Sequence, residues 1–187
     1  MEHVNVYDWD KTIFPLDSTA AFILWCFRRH PLRMLRILRV VPVLPGYFLH
    51  RVSKTRMKEK LYGFLRGIPD IDAEVSAFWD ANFHRIHKWY LAQKRPDDIV
   101  ISASPEFLIR PACAKLGISC VIGSPVDKRT GLFLGPNCHG REKVSRFRAR
   151  FPGGGIDEFF SDSRSDEPLA KLAKQAWIVK GEKLVKW

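Results

Sequence analysis

Apolar and polar positions alternate at the start of the chain, Val4-Asn-Val-Tyr7, which predicts a short strand. Asp8, Asp10 and Thr12 follow it directly. The pattern then changes period. Ala20–Arg29, Pro31–Val41, Ser53–Arg66 and Asp72–Gln93 space their apolar residues as helices do. Asp17, Ser18 or Thr19 suits the N-cap of the first, and Pro31 suits the first turn of the second. Short apolar runs return at Asp98–Ser102, Ser119–Gly123, Ile156–Ser161 and Ala176–Val179 and read as strands. Between them we expect a helix from Pro105 with Ser104 as its N-cap, a hairpin turn within Val126–Leu134, and helices over Glu142–Arg150 and Leu169–Gln175. Alternation of strand and helix from residue 95 onward predicts an α/β fold, a Rossmann-like parallel sheet flanked by helices. The helical stretch 15–93 interrupts that rhythm as an inserted cap after the first strand. The sheet-bearing core is then 1–14 together with 94–187.

Strand ends of a parallel sheet converge on one edge. Asp8, Asp10 and Thr12, then Ser102, then Asp162 and Asp166 all follow predicted strands, and Lys143 opens a helix. Two acids one residue apart repel each other unless a cation lies between them or their jobs differ. Acids, a hydroxyl and a lysine without a histidine suggest phosphoryl chemistry on a magnesium ion, which prefers carboxylate and phosphate oxygens. A carboxylate can attack the phosphorus to give an aspartyl-phosphate, while lysine and metal offset charge on the transferring group. Each signal alone has a plainer reading. Asp162 and Asp166, for example, equally suit a helix N-terminus. Their joint order along the chain is what points to a site. His84 and His87, three apart in a predicted helix, lack an acidic partner nearby and read as surface or core histidines.

Charge sharpens the picture. The chain carries a formal +11, and Arg28–Arg66 holds eleven Lys/Arg against one acid, Glu59. Such a stretch favours polyanions, anionic lipid surfaces or phosphorylated substrates, unless it is simply a solvated basic face. On a helical wheel Arg28, Arg29, Arg33, Arg36 and Arg39 span an arc of about 140°, opposite Met34, Leu35, Ile37, Leu38 and Val41. Val40–Leu49 is uncharged, but Pro42, Pro45 and Gly46 break it and it is too short to span a bilayer. Peripheral contact with an anionic membrane and ordinary packing in a helical domain both remain open. Trp25, Tyr47 and Phe48 lie among the arginines without a stacking-platform motif, so nucleic acid is not expected as a partner. Cys26, Cys113, Cys120 and Cys138 form no C-x-x-C pair and read as reduced thiols. Without a signal-type segment before the first strand, a cytoplasmic location is expected, with membrane association as its extension.

The chain resembles the haloacid dehalogenase superfamily, in particular its phosphoserine-phosphatase-like branch. The resemblance rests on Asp8-Trp9-Asp10-Lys11-Thr12, on Ile101-Ser102-Ala103-Ser104, on Lys143 in Gly140-Arg-Glu-Lys-Val, and on Ser161-Asp162-Ser163-Arg164-Ser165-Asp166. It implies Asp8 as nucleophile and Asp10 as the proton donor to the leaving alcohol. Ser102 would hold the phosphoryl group and Lys143 would neutralise it. Magnesium would be held by Asp8, the main-chain carbonyl of Asp10 and Asp162, with Asp166 in support. Ser104 also follows the second strand and is the alternative to Ser102. Within the branch, the basic proline-broken cap start, Cys138-His-Gly-Arg-Glu-Lys-Val and Ser161-Asp-Ser-x-x-Asp-x-Pro-Leu look most like the bacterial phosphatidylglycerophosphatases of this superfamily. Phosphoserine phosphatases resemble the chain at Asp17, where they carry a substrate-contacting glutamate, but their fourth motif is glycine-rich. Substrate contacts are expected at Thr12, Asp17, Ser104 and a cap arginine, Arg56. The substrate is then an amphiphilic phosphate such as a phospholipid headgroup, or a small phosphomonoester such as phosphoserine.

Overall fold

The computed structural model describes residues 3–187. Six strands form one sheet in the order β3-β2-β1-β4-β5-β6: β1 (His3–Tyr7), β2 (Ile99–Pro105), β3 (Cys120–Ser124), β4 (Gly155–Ser161), β5 (Ala173–Lys180) and β6 (Lys183–Lys186). The first five pair in parallel, and β6 adds an antiparallel edge. Strand β1 is central, bonded to β2 on one side and β4 on the other. Buried on both faces, these strands read as nearly unbroken apolar runs.

Alternate residues of each strand feed two separate layers. Val4, Val6, Ile99, Ile101 and Phe159 pack beneath Phe147 and Leu169, which lie on α8 (Arg141–Arg150) and α9 (Glu167–Ala170). On the opposite face Tyr7 stacks on Phe160, ring centroids 4.6 Å apart. That layer continues through α7 (Glu106–Lys115) into the segment inserted between β1 and β2. The insertion begins with α1 (Ser18–Arg29) and α2 (Pro31–Met34), followed by a 3-10 helix over Leu35–Val43. Then come α3 (Leu44–Phe48), α4 (Lys54–Tyr62), a 3-10 turn over Gly63–Gly67, α5 (Ile71–Asn82) and α6 (Lys88–Gln93). Its Phe22, Phe64, Phe78 and Trp79 belong to the same buried cluster as Tyr7 and Val100. Insertion and sheet therefore share one core. The buried Trp79 also donates its Nε1–H to the Leu108 carbonyl at 2.6 Å.

Glu74 on α5 ties down the far end of α1. It accepts hydrogen bonds from Trp25 Nε1 (3.0 Å) and Arg29 Nε (2.9 Å) and meets His30 Nε2 at 2.9 Å. Burial alone would raise its carboxyl, but the bonds from His30, Trp25 and Arg29 outweigh burial and hold it below the usual range.

Several sequence expectations need correcting. The helix expected over Pro31–Val41 is α-helical only to Met34. Pro42 removes a backbone donor and crowds the preceding turn, and β-branched Val40, Val41 and Val43 add to the strain, so 3-10 geometry takes over. The helix expected over Leu169–Gln175 ends at Ala170, because Ala173 already pairs with β4. That early start makes β5 longer than expected, and β6 was not anticipated. Gly181, at φ 61°, supplies the tight turn between them. Pro105 takes the N-cap position of α7, so Ser104 is released for another contact. The hairpin at Val126–Leu134 is present as a single bridge, Val126 to Phe133. His87 is a core histidine whose Nδ1 meets Glu182 Oε1 at 2.7 Å, and His84 is exposed. All four cysteines are free, three of them buried.

Candidate active site

Asp8 lies one residue past β1, Ser102 is midway along β2 where its pairing with β3 shifts register, Asp162 follows β4, and Lys143 is in the first turn of α8. The sheet brings these ends together around a cleft of about 150 Å³. Lys143, 2% exposed, is the hub. Its Nζ donates to Asp8 Oδ1 at 2.8 Å and to Asp166 Oδ2 at 2.7 Å. Ser161 Oγ also donates to Asp166 Oδ2, at 2.9 Å. Burial alone would lower the ammonium, but Asp8 and Asp166 outweigh it and hold Lys143 firmly protonated. Asp8 is pushed up to about 7 by burial, an effect that Lys143 opposes and Asp166 reinforces.

Asp10 is held from three directions. The Ser18 backbone N–H donates to its Oδ1 at 2.8 Å and the Ser18 hydroxyl at 2.5 Å. Ser104 Oγ donates to its Oδ2 at 2.5 Å. Burial, then the nearby charge of Asp17, raises its carboxyl above the usual range, and the serine hydrogen bonds offset part of that rise. A raised carboxyl holds a proton more readily than an ordinary one, the direction a general acid needs.

Backbone geometry explains how these groups are aimed. Lys11 adopts φ 56°, and the amides of Thr12, Ile13 and Phe14 all donate to the Trp9 carbonyl. This curl turns the chain sharply after Asp10. Trp9, between the two acids, is fully buried against Trp79, ring centroids 5.5 Å apart, and so anchors the loop in the core. On β2, pairing with β3 shifts register between Ile101 and Pro105. The shift releases Ser102–Ser104 from the ladder toward the cleft. Within that bulge the Ser104 amide donates to Ser102 Oγ at 3.1 Å.

The other expected residues fall as follows. Asp17 and Asp162 line the cleft. Burial raises Asp162, while Lys11 opposes the rise and Asp166 adds to it. Thr12 is fully buried, and its hydroxyl accepts the Asp162 amide at 3.0 Å, tying the first motif to the fourth. Ser104 reaches Asp10 rather than open space. Arg56 is exposed on α4 and lines neither the cleft nor the 310 Å³ pocket beside it. Lys58, two residues on and on the opposite face of α4, lines that pocket with Asp10, Asp17 and Tyr62, and its Nζ donates to the Ala103 carbonyl at 3.3 Å. Sequence reasoning missed Ser18, Ser161 and Lys58. Ser18 had a signal, a hydroxyl in the first turn of a helix beginning beside an acid.

Five carboxylates line the cleft (Asp8, Asp10, Asp17, Asp162, Asp166) against two lysines, Lys11 and Lys143. Uncompensated negative charge and an all-oxygen donor set suit a hard divalent cation. Among the described residues, no three His, Cys, Asp or Glu side chains already converge on one point; Asp8 and Asp166 share Lys143 instead.

Similar proteins place this arrangement in context. Protein CicA of Caulobacter vibrioides is 26% identical over 185 residues, covering 90% of this chain and 82% of that protein. A Bordetella pertussis Tohama I protein of unknown function superposes with TM-score 0.73 at 20% identity, covering 94% of this chain and 89% of the other. A phosphoserine phosphohydrolase-like protein of Francisella tularensis gives TM-score 0.57 at 16% identity, covering 94% and 86%. The family model of haloacid dehalogenase-like hydrolases matches residues 6–171, a span holding every motif of the cleft, and the chain belongs to that family.

Proposed function

We propose that the chain is a magnesium-dependent phosphomonoesterase working through Asp8. The supporting observation is buried Lys143 bridging Asp8 and Asp166 at the strand edge where Asp10 is clamped by Ser18 and Ser104. Asp8 attacks the phosphorus, the bond from phosphorus to the ester oxygen breaks, and Asp10 passes its proton to the leaving alkoxide. Asp10 then takes a proton from water, which attacks the phospho-Asp8 and releases inorganic phosphate with Asp8 restored. Ser102 binds the phosphoryl oxygens, with Ser104 as the alternative, and Lys143 offsets their charge. Magnesium fits the negative cleft. Asp8, the Asp10 carbonyl and Asp162, supported by Asp166, would hold it, and it would supply further charge stabilisation. Residues 15–93 act as a cap over the core of 1–14 and 94–187, with Asp17 and Lys58 facing the leaving group. Thr12 then serves the site by holding the Asp162 loop.

The substrate is an amphiphilic phosphate ester of the phosphatidylglycerophosphate type, a reading supported by the basic, apolar surface of the insertion. A small soluble ester such as phosphoserine is the second reading, favoured by Asp17 at the junction of cleft and adjacent pocket. Turnover of an aryl phosphate with magnesium present, compared between wild type and Asp8→Asn, tests the chemistry; undiminished turnover in the variant refutes it. A panel of phosphate esters separates the substrates. A sharp loss of phosphoserine turnover in Asp17→Ala would favour the second.

A further inference from the structure

The most unusual surface of the molecule lies away from the cleft. In a 3-10 helix, side chains three apart eclipse one another and form three rows. Over Leu35–Val43 those rows have distinct characters. Ile37, Val40 and Val43 are half-buried and continue from buried Met34. Leu35, Leu38 and Val41 form a second row, 56%, 58% and 53% exposed, with Leu32 at 81% one turn before it. Arg36 and Arg39, preceded by Arg33, form the third row, all exposed. A leucine ridge therefore runs beside an arginine ridge, both facing solvent. Phe27 near the end of α1 and Phe48 and Leu49 at the end of α3 are exposed as well, at 50%, 73% and 64%. No acid occurs between Asp17 and Glu59.

An exposed apolar ridge of this size marks an interaction surface. Its chemistry narrows the partner. Between Leu35 and Leu49 the only polar side chains are Arg36, Arg39 and Tyr47, so a folded protein would find few hydrogen-bonding groups to match. A nucleic acid would leave the aliphatic row in water. An anionic bilayer satisfies both ridges, since acyl chains take up the leucines while headgroup phosphates meet the arginines. Among the described residues no helix is long and apolar enough to cross a membrane, consistent with an element lying in the interface.

We propose that residues 32–49 dock the protein on anionic lipid surfaces, with Leu32, Leu35, Leu38 and Val41 entering the headgroup boundary. A groove of about 440 Å³ between α1 and α5 is lined by Asp17, Leu24 and Arg28, and Asp17 also lines the reaction cleft. Docking does not depend on the phosphatase reading, although it deepens that reading by bringing the chain to lipid phosphates.

The test is sedimentation of the full chain with phosphatidylglycerol/phosphatidylcholine vesicles and with pure phosphatidylcholine vesicles, at low and high salt. Wild type should pellet with the anionic vesicles at low salt, weakly at high salt, and scarcely with neutral ones. Joint substitution Leu35→Ser, Leu38→Ser and Val41→Ser should abolish pelleting. Joint substitution Arg33→Gln, Arg36→Gln and Arg39→Gln should weaken it about a hundredfold. Circular dichroism and aryl phosphate turnover of both variants should match wild type. Wild type staying in the supernatant at low salt overturns the proposal. So does undiminished pelleting of the folded serine variant, which would leave the arginines binding a polyanion without the ridge. Absence of aryl phosphate turnover in wild type would count against the phosphatase reading and leave docking intact.

Discussion

Replacing Lys143 by Met keeps much of the side chain's volume and removes the one charge shared by two buried carboxylates. Asp8 and Asp166 lie 2.8 and 2.7 Å from Nζ, and Lys143, Asp8 and Asp166 are 2%, 7% and 2% exposed. Removing one partner of a buried ion pair costs about 3–5 kcal/mol, because the remaining charge stays desolvated and unpaired. Here Asp8 can escape by binding a proton, so the cost depends on pH. Burial already pushes Asp8 up to about 7, and losing the lysine pushes it further. A carboxyl raised in the folded state binds protons more tightly than in the unfolded chain, so stability falls as pH rises from its ordinary value through its folded value. The variant's deficit relative to wild type should therefore be smallest near pH 5 and, once wild-type Asp8 ionises above pH 7, grow by about 1.4 kcal/mol per pH unit toward the ~3–5 kcal/mol of an unpaired buried charge. Urea unfolding followed by tryptophan fluorescence, in chelator to exclude divalent cations, measures this directly. A loss below about 1 kcal/mol at pH 8, or the same loss at pH 5 and pH 8, would refute the reasoning. Adding Asp166→Leu should recover part of the loss, since the two sites are in contact and their effects do not add.

Two further expectations follow from the same contacts. Ser104→Ala removes one of the bonds fixing Asp10, and a hydrogen bond to a charged group is worth about 1.5–3 kcal/mol. kcat on an alkyl phosphate should therefore fall about tenfold to a hundredfold, and less on an aryl phosphate, whose leaving group needs little protonation. Equal losses on both would place Ser104 on the phosphoryl group instead. Glu74→Ala should destabilise the chain by about 1–3 kcal/mol at neutral pH. The difference from wild type should shrink on acidification, because a carboxyl held below its usual range loses its contribution as pH falls through that range; thermal unfolding across pH 3–7 reads it.

The five parallel strands and the insertion's position were legible in the chain because buried parallel strands are short unbroken apolar runs, and five such runs punctuate this sequence. That Asp8, Asp162 and Lys143 meet at one cleft was legible for a related reason, since strand ends of a parallel sheet share an edge and polar residues placed there stand out. The details that failed depend on tertiary partners. Pairing with β4 draws Ala173 into β5, against its local helical pattern. Arg56 and Lys58 lie two residues apart on α4, and only packing decides which faces the pocket. Ser104 had two plausible local uses, and the bulge in β2 chose Asp10 over the helix N-terminus. The apolar and basic rows of residues 32–43 were visible on an α-helical wheel. Their full separation appears only once Pro42 has forced a period of three.

The central claim is that Asp8 carries the phosphoryl group. During steady turnover of an aryl phosphate with magnesium present, the reaction can be quenched in acid, treated with labelled borohydride to reduce any acyl phosphate, and mapped by peptide mass spectrometry. The account predicts label at residue 8 as homoserine, dependent on substrate and absent in Asp8→Asn. Sustained turnover with no label at residue 8, or with the phosphoryl group found on Ser102 or another side chain, would contradict it.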